Sequence, residues 1–347
     1  MGPNEPAIHI VIPNWNGKKF LKKCLESLSQ QTFRDFSITV VDNGSSDGSV
    51  SFLQRKYPEI NCIRFSRNKG FSVAVNAGIK SSSSPLILLL NNDIEVAKDC
   101  LEQLNGQVAR HRECEFFALK MLNFHHRNRL DGAGDGVLRG GVGYRYGTME
   151  EDGEPYNQDG VVFGACAGAA LYRRSFFDKV GFFDEDFFAY LEDVDLNLRA
   201  GRLGLCCYYI PAAVVYHIGS ATTGSKINAM TVSLSTKNNF NIIVKNYPFA
   251  LLVTFFPAMI IYQFFWFLFV LKKRKVVPYL KGLALGVAQL PAMLHKRKKL
   301  LRQQGLSVLE FARLIKESEY RVINSIKARR EAAGKRNTLL NVYQKFF

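Results

Sequence analysis

The acidic residues around position 190 are the side chains of this sequence best suited to proton transfer. The segment GFFDEDFFAYLEDVDLNLRAGRLG holds six acids within twelve residues: Asp184, Glu185, Asp186, Glu192, Asp193 and Asp195. The flanking Phe and Tyr argue against a solvated acidic face, and carboxylates held together near apolar side chains have the raised proton affinity that suits a general base. If 191–203 is a helix, Asp195 can pair with Arg199 four positions later. Glu192 or Asp193, at the helix start, is then the better base.

A second acid and a histidine each follow an apolar run. Asn92-Asp93 come directly after LILLL, so a carboxylate stands at the tip of a predicted central strand. A carboxylate there can hold Mg²⁺ or Mn²⁺ against a diphosphate, although Asn and Asp also end strands simply as turn formers. His217 follows the apolar run AAVVY and precedes GSATTG. It is either a structural histidine with its partners satisfied or a further ligand.

The first hundred residues alternate predicted strands (9–13, 37–42, 62–65, 86–90) with predicted helices, among them 71–80. Near-continuous apolar strands that alternate with helices predict an α/β fold with a parallel sheet covered on both faces. Ligands of such sheets bind beyond the carboxyl ends of the strands. The polar residues at those ends are Pro13-Asn14, Asp42-Asn43, Arg67-Asn68 and Asn92-Asp93. That edge of the sheet is the predicted active site.

The middle of the chain is rich in glycine. The glycines of 131–147 do not follow a strand and open a helix, so a loop or hairpin is favoured over a dinucleotide-binding turn. The small, apolar segment 161–172 predicts a strand packed closely against a ligand or a neighbouring backbone.

The net charge of +16 is concentrated in one part of the chain, because 196–309 holds fifteen Lys or Arg and no Asp or Glu. Such a field attracts nucleic acid or membrane phosphates. Basic clusters at 272–275 and 296–299 bracket apolar runs, which is a membrane pattern and not that of a nucleic-acid reader. We therefore expect a membrane-surface partner and no nucleic acid.

The apolar run 247–271 has no charge and would reach about 37 Å as a helix, enough to cross a hydrocarbon core of about 30 Å. Pro257 and Gln263 interrupt it, and a span would place the cluster at 272–275 on the far side from the catalytic part, against the positive-inside tendency. We expect helices that lie in or dip into the interface. A hairpin of two spans and a buried soluble core are the alternatives. Residues 306–328 predict a further amphipathic helix.

The seven cysteines show no C-x-x-C pair and no zinc-like spacing. Several lie in apolar contexts, where a free cysteine behaves as a small hydrophobe, and this fits a reducing compartment. Residues 1–8 show no signal sequence. The catalytic part is therefore expected in the cytoplasm.

Four ordered motifs over residues 8–225 resemble glycosyltransferase family 2. They are IHIVIPNWNGKKFLKKCLESLSQQTFRDFSITVVDNGSSDGS, RFSRNKGFSVAVNAGI, LLLNND in the place of a D-x-D motif, and FFDEDFFAYLEDVDLNLRAGRLG followed by VVYH. The resemblance is strongest to a subgroup with rhamnosyltransferases of bacterial surface polysaccharide assembly. It implies a GT-A domain, with halves at 1–100 (nucleotide-sugar) and 101–228 (acceptor and catalysis). Membrane-associated helices at 229–303 and an amphipathic helix and tail at 304–347 would follow.

The resemblance also implies roles for individual residues. The nucleotide would be held by Pro13, Asn14, Asp42, Asn43, Arg67, Asn68, Gly70 and Asn92, with Asp42 accepting from a pyrimidine N3–H and Asn92 facing the ribose. Asp93 and His217 would coordinate Mn²⁺ or Mg²⁺. Asp193, beside Glu192, would deprotonate the acceptor hydroxyl, which attacks the anomeric carbon in line while the cation stabilises the leaving diphosphate.

Two departures from the family pattern qualify this picture. Asn91 stands where the first Asp of D-x-D would be, which leaves one acid for the metal. The Q-x-x-R-W motif of processive synthases is absent, since the only tryptophans are Trp15 and Trp266. One sugar per encounter is therefore expected.

The expected function is inverting transfer of a sugar from a pyrimidine nucleotide-sugar, first of all dTDP-L-rhamnose, to a polyprenyl-diphosphate-linked glycan. The enzyme would sit at the cytoplasmic face of the plasma membrane, as a peripheral protein or with a C-terminal hairpin. A UDP-hexose transferase is an alternative. An inactive scaffold would be expected to have lost Asp93, Asp193 or His217, and a nucleotidyltransferase would carry a glycine-rich basic loop in place of PNWNGKK.

Overall fold

A computed structural model describes residues 5–219 and 227–346 of the chain. Its first part alternates strand and helix as the apolar runs predict. The elements are β1 (Ile8–Asn14), α1 (Lys18–Ser29), β2 (Phe36–Asp42), α2 (Ser49–Lys56), β3 (Asn61–Arg64), α3 (Phe71–Lys80), β4 (Leu86–Leu90), β5 (Ile94–Val96) and α4 (Cys100–Arg110). The predicted bounds of α3 and β4 agree with the structure to the residue.

The sheet is parallel where the sequence predicts it to be parallel. β3, β2, β1 and β4 lie side by side in that order and all run in the same direction. In the register of β1 with β2, Asn14 lies opposite Asp42, so the polar ends of both strands meet at one edge. The remainder of the sheet is mixed, because the strand that follows β4 in space pairs with it antiparallel.

The second half of the chain extends this sheet and adds a two-stranded hairpin. Its elements are β6 (Cys114–Asn123), β7 (Leu130–Ala133), β8 (Asp135–Leu138), β9 (Val142–Arg145), β10 (Gly160–Val162), β11 (Ala169–Arg173), α5 (Arg174–Val180), a 3₁₀ turn (Glu185–Phe187), α6 (Glu192–Arg202) and β12 (Cys206–His217). β8 and β9 form the hairpin that was one of the two interpretations of the glycine-rich segment.

The expectation of one strand over 161–172 is wrong. A turn at 163–168 separates β10 from β11, and its small residues let it approach α6. Asn197 donates to the carbonyl of Ala165 at 3.1 Å, and a Cβ on Gly164 would lie 2.3 Å from the Asn197 side chain. The middle of this segment therefore forms a turn that packs against a side chain of α6, where a continuous strand was expected.

β6 and β12 are joined by a disulfide as well as by hydrogen bonds. Cys114 and Cys206 lie opposite each other in the parallel register, with their Cα atoms 4.5 Å apart. The expectation of free thiols in a reducing compartment does not hold for this pair. The sequence could not reveal it, because the two cysteines meet only when strands 92 residues apart pair with each other.

The C-terminal part is helical. Its elements are α7 (Ala229–Asn246), α8 (Phe249–Thr254), α9 (Phe256–Lys272), α10 (Val276–Ala288), α11 (Leu290–Leu301), α12 (Val308–Ala332) and α13 (Thr338–Phe346). The apolar run 247–271 is broken rather than continuous, because Pro257 occupies the first turn of α9 and cannot donate to the turn before it. The predicted amphipathic helix is confirmed as α12, which Ser307 and Glu310 cap reciprocally.

Within the described ranges, no single helix combines the length and hydropathy needed to cross a bilayer. α10 and α11 reach that length and composition only as a pair, and they are bent by 55° at their junction.

The C-terminal helices share a hydrophobic core with α6. Phe187, Val194 and Leu198 pack with side chains of α7, α8 and α12, among them Ile242 and Phe311. Two further cores fill the two faces of the sheet. Helices α7, α8, α9 and α12 are therefore packed against α6 and the hairpin strand β8.

A buried ion-pair network also joins α7 to α6. Lys245 is 2.7 Å from Asp184 and 2.8 Å from Asp195, and Asn246 donates to the other oxygen of Asp195 at 2.9 Å. Burial alone would raise the pKa of Asp184 and Asp195, but Lys245 lowers the pKa of both carboxyls, with a further contribution from Lys296 at Asp184 and from Arg199 at Asp195. Arg199 pairs with Asp195 at 3.0 Å, as its spacing predicts.

Replacing Lys245 by Met should cost about 3–5 kcal/mol of unfolding free energy, because it leaves two buried carboxylates without their shared cation. Urea unfolding followed by circular dichroism measures this loss. Lys22→Met is the matched control, since Lys22 pairs with Glu26 at 3.7 Å on the exposed face of α1 and should cost at most about 1 kcal/mol. Equal losses in the two variants would contradict a structural role for the buried network.

Candidate active site

A cleft of about 620 Å³ opens at the carboxyl ends of β1 and β4, opposite the start of α6. Most predicted site residues line it: Pro13, Asn14, Asn43, Asn68, Gly70, Asn92, Asp93, Glu192, Asp193 and His217. Asp42 and Arg67 are not among its lining residues. The predicted convergence of strand ends therefore exists, although Asp42 is buried behind the lining and Arg67 is exposed outside it.

One end of the cleft is built from side-chain amides. Asn14 donates to a carboxylate oxygen of Asp42 at 3.1 Å and accepts from the amide of Asn92 at 2.7 Å. The other oxygen of Asp42 accepts from the backbone N–H of Ser45 at 3.0 Å. The buried Asp42 carboxylate thus orients Asn14 and the turn after β2.

A second set of amides shapes the loop before α3. The Asn43 amide donates to Asn68 at 2.9 Å and to the carbonyl of Gly70 at 3.0 Å, and its oxygen accepts from the N–H of Lys69 at 2.8 Å. Arg67 is exposed, and its backbone lies so close to Gly44 that a Cβ there would be 2.5 Å away. Asn43 therefore fixes the loop 68–70 against the end of β2.

Asp93 and His217 lie close together in the lining of the same cleft. His217 Nε2 lies 3.4 Å from Asp93 Oδ1, while its Nδ1 lies 2.7 Å from Asp131 Oδ2. Burial alone would lower the pKa of His217, but the hydrogen bonds and charges of Asp131 and Asp93 outweigh it and raise the pKa to about 9. A positive charge is therefore favoured between these groups.

These residues fit a divalent cation. A ligating histidine usually has its second ring nitrogen fixed by a carboxylate, and Asp131 occupies that place. One carboxylate and one imidazole leave most coordination positions to diphosphate and water, as Mg²⁺ and Mn²⁺ sites commonly do. The charges of Asp93 and Asp131 favour a second proton on the His217 ring. A cation bound between Asp93 and Nε2 of His217 would take the place of the proton on Nε2.

A guanidinium lies at the centre of a neighbouring acidic cluster. Asp135, Cys166 and Asp193 present possible ligand atoms within 4.8 Å of one another. Arg145 of β9 is 2.7 Å from Asp131 and from the sulfur of Cys166, and 3.7 Å from Asp135. Arg145 therefore already supplies positive charge here, which favours an ion-paired cluster over a second metal site.

Glu192 and Asp193 begin α6 and face the cleft. Burial raises the pKa of Glu192 to about 8, with a further contribution from the charge of Asp193. Burial also raises the pKa of Asp193, and the charge of Arg145 opposes this effect. Within the described residues, Oε2 of Glu192 is buried without a hydrogen-bond partner. The pair thus offers carboxyl groups that hold protons more tightly than usual.

The loop 188–191, between the 3₁₀ turn and α6, has an uncommon backbone conformation. Phe188, Tyr190 and Leu191 have φ of 66°, 70° and 63°, and each non-glycine residue there costs on the order of 1–3 kcal/mol. The carbonyl of Phe188 accepts from the N–H groups of Phe71 and Ser72, at 2.5 and 3.4 Å. The loop therefore connects the start of α3 directly to Glu192.

Three charged site residues escaped the sequence analysis: Asp131, Asp135 and Arg145. The only sequence signal for two of them is the pair of acids in DGAGDG, a segment whose glycine content predicts a loop or hairpin. Their side chains come together because β7 pairs with β6 and β9 pairs with β8, and neither pairing is visible in the sequence pattern.

Two comparisons with known sequences bear on this site. Residues 9–181 match the model of glycosyl transferase family 2. The chain is 27% identical over 246 residues to the N-acetylglucosaminyl-diphospho-decaprenol L-rhamnosyltransferase of Mycobacterium tuberculosis, covering 63% of this chain and 78% of the relative. It is also 28% identical to the uncharacterized glycosyltransferase YwdF of Bacillus subtilis, covering 56% of this chain and 68% of that protein.

Solved structures give the same fold. A mannosyltransferase from Pyrobaculum calidifontis, in complex with GDP-Man and Mn²⁺, superposes with a TM-score of 0.52 at 13% identity, covering 94% of this chain and 87% of that one. A fragment of S. aureus TarS in complex with UDP-GlcNAc has a TM-score of 0.52 at 15% identity, covering 90% and 91%. At these identities the likeness concerns the fold alone, and it agrees with the predicted GT-A architecture.

Replacing Gly70 by Ala should destabilise the protein by about 1–3 kcal/mol. Gly70 has φ of +94°, and a Cβ would lie 2.6 Å from the carbonyl oxygen of Phe188. The thermal unfolding midpoint measures the effect. Gly106→Ala is the control, because Gly106 lies within α4 with no atom within 4 Å of a new Cβ and should stabilise by up to about 1 kcal/mol. An unchanged midpoint for Gly70→Ala would refute the close contact.

Proposed function

The chain belongs to glycosyl transferase family 2, and we propose that it transfers a sugar, with inversion, from a pyrimidine nucleotide-sugar to a polyprenyl-diphosphate-linked glycan. The observation that carries the proposal is that side-chain amides, the Asp93–His217 pair and the Glu192–Asp193 pair line one cleft. dTDP-L-rhamnose is the donor that we propose first. The mycobacterial relative, whose name describes rhamnosyl transfer to a decaprenol-linked acceptor, supports both the donor and the acceptor class.

The nucleotide end of the cleft is the amide-lined end. We propose that the walls of the nucleoside site are formed by Pro13, Asn14, Asn43, Asn68, Gly70 and Asn92. Asp42 is buried behind them, and the exposed Arg67 would also contact the nucleotide. Asp42 already accepts from Asn14, so in this arrangement it fixes the amide that faces the ligand. We also propose that the Asp42 carboxylate accepts a hydrogen bond from the N3–H of a pyrimidine base.

The diphosphate end is the end with Asp93 and His217. We propose that these two side chains hold Mn²⁺ or Mg²⁺, with Asp131 keeping the proton of His217 on Nδ1. When bound, the cation neutralises negative charge on the departing diphosphate. Asp131 and Arg145 keep the imidazole in place through a chain of contacts of 2.7 Å each.

The acceptor end is the start of α6. Asp193 accepts the proton of the acceptor hydroxyl, whose oxygen forms a bond to the anomeric carbon as the bond to the diphosphate oxygen breaks on the opposite face. The anomeric configuration inverts, and the nucleoside diphosphate leaves with the bonding electrons. Burial raises the pKa of Asp193 and so makes its carboxylate a stronger base than an exposed one.

The domain division follows the same arrangement. We propose a nucleotide-sugar half at 1–100 and an acceptor half at 101–228. Residues 229–303 would be membrane-associated helices, and 304–347 an amphipathic helix and tail. The polar α7 packs against the acceptor half, whereas the helices after it expose apolar residues.

The exposed apolar residues of α8 to α11, here called the apolar helical face, support a lipid surface as partner. They are Phe249, Val253, Phe256, Ile260, Phe264, Phe265, Leu268, Leu271, Val277, Leu280, Leu285, Val287 and Leu294. In α9 they recur every four residues from Phe256 to Leu268, which forms one stripe. The lack of any acid across 196–309 complements anionic lipid. We propose that this face rests on the cytoplasmic leaflet of the plasma membrane.

Nucleoside diphosphate release tests the transferase proposal. The purified chain is incubated with a panel of nucleotide-sugars, with and without a polyprenyl-diphosphate saccharide, in Mn²⁺, in Mg²⁺ and after chelation. Release should need the cation and one donor, and Asp193→Asn should reduce it by about 10²–10⁴-fold through loss of the base. Asp178→Asn changes an exposed acid of α5 and should leave it unchanged.

The outcomes separate the alternatives. Release from a UDP-hexose but not from dTDP-L-rhamnose would support the hexosyltransferase alternative. Nucleotide binding without release for any donor and acceptor would support an inactive scaffold. Failure to bind any pyrimidine nucleotide would overturn the proposal.

Binding to lipid vesicles tests the apolar helical face. Phe256 and Phe264 are 58% and 56% exposed, and replacing both by Ser should weaken binding to phosphatidylglycerol vesicles at least about tenfold, from the apolar area each contributes. Co-sedimentation measures the binding. The matched control replaces Met149 and Val161, which are 55% and 57% exposed outside this face. If both double variants bind equally well, the lipid does not rest on α9.

A further inference from the structure

Helix α7 carries an unusual set of buried amides. Its sequence TKNNFNIIVKN contains four asparagines, which are weak helix formers, and all four are buried. Such residues need hydrogen-bond partners in the interior. Asn239 finds them at the turn between β8 and β9, and Asn246 finds one in Asp195. The amides of α7 therefore contact parts of the molecule that build the cleft.

Asn238 makes the densest of these contacts. It is fully buried, and its Nδ2 lies 3.0, 2.9 and 2.6 Å from the carbonyl oxygens of Phe187, Ala189 and Tyr190, so that its two N–H protons are shared among three acceptors. All three carbonyls belong to or adjoin the loop 188–191. Successive carbonyls of a regular strand alternate in direction, so three of them can converge on one amide only where the backbone is irregular. The positive φ values of this loop provide such a backbone.

The loop has contacts on its opposite side that matter for the site. Phe188 accepts from the start of α3, next to Gly70, and Leu191 is followed directly by Glu192 and Asp193. Residues 188–191 also line the cleft. The position of this loop therefore sets the distance between the loop before α3 and the acids of α6.

We propose that Asn238 is a positioning residue: it holds the loop 188–191 in its strained conformation and so aims Asp193 at the acceptor hydroxyl. The inference rests on the proposed function for the role of Asp193. The C-terminal helices lie beyond the family match at 9–181. Through Asn238 they would help to set the geometry of the reaction. Lys237, which donates to the carbonyl of Asp186 at 2.6 Å, supports the same segment from the preceding position.

Asn241 offers a matched control within the same helix. It is also fully buried, and its Nδ2 donates to a single side-chain oxygen, that of Gln289, at 2.7 Å. In both residues Oδ1 has no hydrogen-bond partner among the described residues. The two asparagines thus differ mainly in what they hold: a strained backbone loop in one case, a glutamine side chain in the other.

The first experiment compares Asn238→Asp with Asn241→Asp in the full chain. Both substitutions keep the shape of the side chain. Aspartate at 238 would face three carbonyls with no proton to donate, whereas at 241 the Gln289 amide can rotate and donate instead. The kcat of Asn238→Asp should fall at least about tenfold, because small misplacement of a catalytic group has effects of this size. The KM for the donor should change less than about threefold, and Asn241→Asp should keep both constants.

Asn238→Ala and Asn241→Ala complete the comparison, with thermal unfolding midpoints measured for all four variants. A fall in kcat that follows the loss of stability equally at both positions would overturn the positioning role. An unchanged kcat in Asn238→Asp and Asn238→Ala, in folded protein, would overturn it as well.

Hydrogen exchange keeps the inference separate from the proposed function. Backbone amides of residues 187–193 should exchange at least about tenfold faster in Asn238→Asp than in the unsubstituted chain, while Asn241→Asp leaves them unchanged. Faster exchange without any transferase activity in the unsubstituted chain would show that the proposed function fails and that Asn238 still holds the loop. Unchanged exchange would overturn the inference whatever the activity.

Discussion

The compensation of buried carboxylates is the constraint on which the rest of this structure depends. Carboxylates taken out of water cost several kcal/mol each unless cations are fixed beside them. Near the cleft, two basic side chains offset this cost. Arg145 lies beside Asp131 and Asp135, and Lys245 lies between Asp184 and Asp195. Each cation comes from a different element from the acids that it neutralises. Docking of the hairpin and of α7 therefore brings these two cations to the acids.

This constraint explains why the C-terminal helices are part of the same body as the sheet. The family match ends at residue 181, before α6 begins. Yet α6 is enclosed by side chains from later in the chain, through the third hydrophobic core, Lys245 and the amides of α7. The acid pair at the start of α6 is thus held from both sides, by the glycosyltransferase domain and by the helices that follow it.

Sequence patterns predicted those parts of the molecule that depend on local spacing. A continuous apolar run predicts the strand 86–90, and a spacing of four residues predicts the Asp195–Arg199 pair. The structure agrees with both, and with the predicted helix 71–80. The rest depends on pairing between distant strands and helices. Arg145 reaches Asp131 only through a hairpin, Cys114 meets Cys206 only across β6 and β12, and Asn238 reaches its carbonyls across 48 to 51 residues. No local pattern carries such contacts.

The amides that line one end of the cleft have a further consequence. Asn14, Asn43, Asn68 and Asn92 neither gain nor lose a proton in the range where proteins are stable. The rest of the cleft includes two acids whose pKa values burial raises, that of Asp135 to about 7 and that of Glu192 to about 8. A change in pH therefore alters the charge of these two acids but not the hydrogen-bonding groups of the four amides. In the proposed reaction the rate of turnover responds to proton concentration through these acids, while the amides that line the other end keep the same hydrogen-bonding groups at every pH.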